Sequence, residues 1–196
     1  QQHPWMYSLA ALLAAGALFV AGCGQKSDSG AAAESASTKS VKLAYVNWAE
    51  GVAVAHLLDA VLGDMGYDVQ LTMADVAPIY ASVAEGDQDV MVETWLPAMH
   101  KDYYAQYGDQ IELVGTWFEQ GLVGLIVPSY VDIDSIDQMA AAKDKFKGQI
   151  TGIDSGAGIM STTEKAIEEY GLGMELVASS GPAMTAALKG AIDKGE

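Results

Sequence analysis

At 196 residues and 51% hydrophobic, the chain carries enough apolar material to bury a core, which excludes disorder as its overall state. All 10 basic residues are lysines, set against 26 acids for a net charge of −16, so a nucleic-acid partner is excluded for want of clustered cations. Without arginine no bidentate guanidinium clamp can hold a carboxylate or phosphate, and any bound anion must use backbone N–H groups, lysine, histidine or indole N–H. One cysteine excludes an internal disulfide, and the scattered His3, His56 and His100 form no cluster at metal-ligand spacing, so neither metal nor cofactor is implied.

The first feature in chain order is the apolar run from Leu9 to Ala21, whose 13 residues fall short of the roughly 20 that a transmembrane helix needs. It has the length of a signal-peptide hydrophobic region and ends in Val20-Ala21-Gly22-Cys23. Small residues before a solitary cysteine resemble the lipobox of bacterial lipoproteins, which makes Cys23 the lipid-attachment site and mature N-terminus. Residues 1–22 are then a lipoprotein signal peptide lacking its positive start, and 23–40 are the lipidated cysteine and a Ser/Ala/Gly-rich flexible tether. The protein is expected outside the cytoplasm, lipid-anchored to the membrane at its periplasmic face or outer surface. The competing reading, Cys23 as a small buried residue of a core helix, sits poorly with the polar sequence that follows it.

From Val41 onward short apolar runs alternate with helical patterns, the signature of an α/β fold with parallel strands. Strands are predicted at Val41–Val46, Tyr67–Thr72 and Asp89–Thr94, with helices at Val52–Met65, Ala77–Ala84 and Lys101–Tyr107. The apolar stretch Ile111–Val127 is expected to contain two strands, and Pro128 with the acidic turn-rich Ser129–Asp137 marks a boundary. A helix at Ser135–Phe146, a strand at Gln149–Ile153, a helix at Gly158–Tyr170, a strand at Glu175–Ala178 and a helix at Pro182–Ile192 follow. The expectation is two α/β lobes, 41–120 and 121–196, the second incomplete because a βα rhythm calls for another strand after the final helix.

Trp48 follows the first strand and Trp95 the third, and in open α/β sheets such loops line the ligand crevice. Two converging indoles suit a cation that hydrogen bonds cannot satisfy, although either could instead plug the top of the core. Gly51 opens the first helix, where the free N–H groups of Gly51 and Val52 form a carboxylate site at the positive helix end. Together these features suggest a zwitterion pocket for a quaternary ammonium and a carboxylate. Trp117 reads as core or crossover packing, and His100 as a residue near the crevice mouth or a surface cap. Gly156-Ala157-Gly158-Ile159-Met160-Ser161 lacks the third glycine and the distal acid of a dinucleotide fingerprint, and is read as offering backbone N–H groups to the crevice. Ser155 is in no nucleophile elbow and no histidine follows it, so no enzyme is predicted.

The segments LAYVNWAEGVAV (43–54), MADVAPIY (73–80), ETWLPAMHKDYY (93–104), VPSYVDIDSI (127–136) and GIDSGAGIM (152–160), in this order, resemble the substrate-binding lipoproteins of glycine betaine/proline betaine/choline ABC importers. The resemblance implies a two-lobed type II periplasmic-binding-protein fold, an aromatic cage around the trimethylammonium group, and backbone amides on the carboxylate. By position it makes Trp95 a cage indole and Gly51 and Val52 carboxylate binders, and it matches Trp48 and Glu50 to positions that face the cation in choline-binding relatives. It also places the remaining cage tryptophans and a carboxylate-binding histidine in a part of the family chain beyond Glu196. The implied partners are a small quaternary ammonium ligand and the permease and ATPase subunits of an importer. Choline, carnitine or proline betaine are alternative ligands, and a sensory ligand-binding module is the alternative from another class.

Overall fold

The computed structural model describes residues 39–196; the signal segment, Cys23 and nearly all of the tether lie outside the described residues. Among them, the fold is built on two parallel sheets. β1 (Lys39–Tyr45) lies between β2 (Tyr67–Met73) and β3 (Val90–Met91), and β4 (Gln149–Thr151) pairs with β5 (Glu175–Val177). The helices are α1 (Ala49–Asp64), α2 (Val76–Glu85), α3 (Lys101–Tyr107), α4 (Gly158–Glu169) and α5 (Gly181–Ile192). No helix among the described residues is long and apolar enough to cross a membrane.

The β1–β2 register runs from Lys39 opposite Tyr67 to Tyr45 opposite Met73, so the sheet takes in the last two residues expected in the tether. Along β1, Leu43 and Ala44 are buried, and Val46 continues the core just past the strand end. α1 is rich in alanine and leucine, which lose little freedom in a helix, and ends where Gly66, at φ 89°, takes the left-handed conformation closed to most side chains. α5 starts on Ser180, whose hydroxyl accepts the Ala183 N–H at 3.3 Å, with Pro182 in its first turn.

Three expected elements differ. Ile111–Val127 forms no strand, because a strand needs a partner for its backbone and none pairs with this segment among the described residues. Hydrophobicity alone suggested strands there, yet Val114 is 90% and Leu122 94% exposed. Ser135–Phe146 folds as two short 3-10 turns, Ile136–Gln138 and Lys143–Phe146, instead of an α-helix. Its two buried residues, Met139 and Ala142, lie in the turn between these two pieces and not along a continuous helical face, and the Gln138 side chain accepts the Asp134 N–H. β3 is shorter than Asp89–Thr94 because the carbonyl of Val92 accepts the Trp117 indole N–H at 2.7 Å instead of a ladder bond.

The largest buried cluster holds Ala44, Val46, Trp48, Val76, Ile79 and Tyr80 from around the first sheet together with Ala157 and Met160 from the start of α4. This joins the two sheets through one core. Two hydrogen bonds add to the junction: Trp48 Nε1 donates to Asp154 Oδ2 at 2.8 Å and Tyr103 Oη donates to the Gly156 carbonyl at 2.8 Å. Gly158 permits the close approach, since a Cβ there would stand 2.6 Å from the carbonyl carbon of Met99. Gly158→Ala is therefore expected to cost about 1–3 kcal/mol in urea unfolding, as overpacking against backbone does, whereas Gly63→Ala, with open space around it, should be neutral or stabilising.

Candidate ligand-binding site

β2 and β3 flank β1 on opposite sides, so the chain leaving β1 and the chain leaving β3 part at the carboxyl edge of the sheet and leave a crevice between them. A cavity of about 610 Å³ opens there. The loop after β1 and the first turn of α1 contribute Asn47, Trp48, Glu50 and Val52; the segment after β3 contributes Trp95, Met99 and His100. The opposite wall comes from Ile153, Ala157 and Gly158 around the start of α4 and from Pro182 and Met184 of α5. Its lining is mainly apolar, with few polar groups, as small-molecule sites are. No group of three or more His, Cys, Asp or Glu side chains that could hold a metal occurs among the described residues. A second hollow of about 480 Å³ along Val127–Gln138 brings together no indole and no open helix end.

Trp48 and Trp95 thus share one cavity, and Trp48 is at once a wall and a core residue, being only 9% exposed. Trp117 is half exposed and lies outside the cavity, so of its two expected roles core packing is excluded, while its indole N–H ties the segment after α3 to the end of β3 at Val92. The helix start shifts the expected amide pair. α1 begins at Ala49, not Val52, and the Val52 N–H is already donated to the Trp48 carbonyl at 2.9 Å. The amides that the helix leaves without a carbonyl partner are those of its first three residues, Ala49, Glu50 and Gly51. Gly51 keeps an N–H that the helix leaves unpaired but is buried and is not among the residues lining the cavity, while Val52 lines the cavity but lacks a free N–H.

His100 is no surface cap. It is 1% exposed, and its Nδ1 accepts the backbone N–H of Trp95 at 3.1 Å with the Tyr80 hydroxyl at 3.3 Å. A backbone N–H can only donate, so Nδ1 is the acceptor and the ring proton sits on Nε2. Burial pulls the imidazole down to about 4, keeping it neutral, and burial pushes the Tyr80 hydroxyl up to about 12. With the reverse bond from His100 N–H to the Trp95 carbonyl at 2.9 Å, the loop carrying Trp95 is closed on itself. Ring packing of His100 against Trp48, Tyr80 and Tyr103, together with its bonds to the Trp95 backbone, connects the Trp48 ring to the loop that carries Trp95.

Two residues of the site fall inside the segments 93–104 and 152–160 but were not singled out by the sequence. Asp154 holds the Trp48 indole edge from the other side of the crevice, a pairing across 106 positions that no local pattern encodes. Asp154→Ala is expected to release that ring and weaken ligand binding about tenfold, and Asp154→Asn, which still offers an oxygen acceptor, to restore most of it in a fluorescence titration. Glu93 is buried at 2% exposure, packed against Gly51, with neither carboxyl oxygen hydrogen-bonded among the described residues. Burial first, and the nearby Glu50 carboxylate second, push it up to about 8.

A family model described as the substrate binding domain of ABC-type glycine betaine transport system matches residues 39–196. The glycine betaine/carnitine transport binding protein GbuC of Listeria monocytogenes is 33% identical over 104 residues, 53% of this chain and 35% of that protein. Among solved structures, lactococcal OpuAC, closed around glycine betaine, is 37% identical with a TM-score of 0.74, over 81% of this chain and 62% of that one. The glycine/betaine/L-proline-binding protein ProX of Borrelia burgdorferi is 38% identical with a TM-score of 0.77, over 81% of this chain and 60% of that one. The chain thus spans about a third of the Listeria protein and about three fifths of the two solved ones. The fold is that of the type II periplasmic binding proteins. With every described residue inside the family match, the chain belongs to the family of substrate-binding domains of ABC-type glycine betaine transport systems.

Proposed function

We propose that this protein is the extracytoplasmic binding component of an ABC importer, capturing glycine betaine and delivering it to the permease without chemical conversion. The observation that carries this reading is the shared cavity in which two indoles stand beside the open N-terminus of α1. Indole faces attract a quaternary ammonium, which has no hydrogen to donate, and the unpaired amides of the first turn attract a carboxylate. The family match and the likeness to a lactococcal protein crystallised with glycine betaine support the same ligand class. Lobes 41–120 and 121–196 close on the ligand, and the closed form is what the permease recognises, its ATPase subunits powering uptake. Acylation at Cys23 anchors the protein to the membrane surface.

A second reading, choline as the ligand, is favoured by two observations: Glu50 lines the cavity and the Val52 amide is engaged. Both suit a cation without a carboxylate. Tryptophan-fluorescence titration of the full-length protein with glycine betaine, choline and 3,3-dimethylbutyrate, the uncharged-headgroup isostere of betaine, separates the readings. Saturation by glycine betaine with little response to the other two is the expected result. Saturation by choline alone transfers the assignment to choline, and silence with both quaternary ammonium compounds overturns the quaternary-ammonium reading.

A further inference from the structure

Glu93 is a buried acid to which ligand capture by the two indoles and the helix end assigns no task. Its carboxyl fills the space a side chain at position 51 would need: a Cβ built on Gly51 would lie 2.5 Å from Glu93 Cδ and 3.0 Å from Oε1. The carboxyl is therefore pressed against the first turn of α1, whose neighbours Glu50 and Val52 line the cavity. An acid with no hydrogen-bond partner in such a place costs more than an apolar side chain of the same size would, so its presence calls for a role.

We propose that Glu93 is a positioning residue that sets which charge type the pocket accepts: as a neutral acid it leaves the first turn of α1 open to a ligand carboxylate, and as an anion it turns the same pocket toward a carboxylate-free cation. The inference rests on the quaternary-ammonium reading above. The groups that face Glu93 are the Glu50 carboxylate from α1, the backbone of Val46 at the end of β1, and the Trp95 indole from its own segment; no cation is among them in the described residues. Ionisation would thus place a second unpaired negative charge behind the turn that already bears Glu50. Burial keeps Glu93 protonated at neutral pH and lets it ionise at mildly alkaline pH. Across that range His100 stays neutral and Tyr80 stays protonated, and neither betaine nor choline changes charge.

The test is calorimetric titration of the full-length wild type and Glu93→Gln with glycine betaine and with choline at pH 7 and at pH 9.5. In the wild type, betaine is expected to bind about tenfold more weakly at the higher pH while choline binds more tightly; in Glu93→Gln both ratios should approach one. Wild-type ratios that persist in Glu93→Gln, or a wild type with no pH response, overturn the proposal. Titration of the wild type near pH 8 in two buffers of different ionisation enthalpy tests it without a variant: betaine should take up protons and choline release them, and no proton exchange with either overturns it. A wild type that binds neither ligand at any pH overturns the ligand reading itself, a result distinct from binding that ignores Glu93.

Discussion

Trp95→Ala is expected to lower glycine betaine affinity roughly a hundredfold, the scale on which removal of a desolvated aromatic anchor acts. Trp95 lines the cavity and its loop is fixed twice through His100, so the ring meets the ligand without first having to be ordered. Trp95→Phe keeps an aromatic face of weaker quadrupole and should recover a large part of the loss. Trp117→Ala, removing a half-exposed ring outside the cavity, should change affinity less than about threefold. Calorimetric Kd values for the three variants check the ordering. A Trp95→Ala protein within threefold of wild type would mean that the ammonium group sits elsewhere.

What was legible in the sequence was what local periodicity and chain order encode. The alternation of apolar runs and helical patterns gave the parallel sheets, and the places where Trp48 and Trp95 follow strands gave the crevice, because the carboxyl edge of a parallel sheet is where such loops gather. What failed was what depends on a partner. Ile111–Val127 is as apolar as a buried strand, but apolarity does not supply a neighbour for its backbone. Val52 was expected to offer its amide, and a helix start three residues earlier spent that donor on Trp48. Asp154 and Glu93 are ordinary acids in a chain with 26 of them, and only the folded chain puts one on the Trp48 indole and the other against Gly51. Glu93 alone left an outward trace, and an indirect one: Gly51 is a glycine in a helix, and the space it leaves is occupied by the Glu93 carboxyl.

The two buried titrating groups beneath the site should leave opposite marks on stability. His100 titrates at about 4 in the folded protein against its ordinary 6.5, so between these values the unfolded chain holds one more proton and stability falls as pH falls. Glu93 titrates at about 8 against its ordinary 4.5, so over that span the folded chain holds one more proton and stability falls as pH rises. Between the two ordinary values the slopes cancel, since the unfolded chain has a charged imidazole and a charged carboxylate while the folded chain keeps both neutral. The expected contribution of this pair is a plateau there, with a decline on either side. Single variants unmask each limb. Glu93→Gln should lose on the order of 3 kcal/mol between pH 6.5 and 4, the span left to His100 alone. His100→Gln, whose amide oxygen can still accept the Trp95 N–H, should lose on the order of 5 kcal/mol between pH 4.5 and 8, the span left to Glu93 alone. Urea unfolding of both variants and the wild type at half-unit pH intervals gives the slopes directly. If the two variants keep the same pH dependence as the wild type, neither group is buried in its neutral form, and the electrostatic account of the pocket floor fails with it.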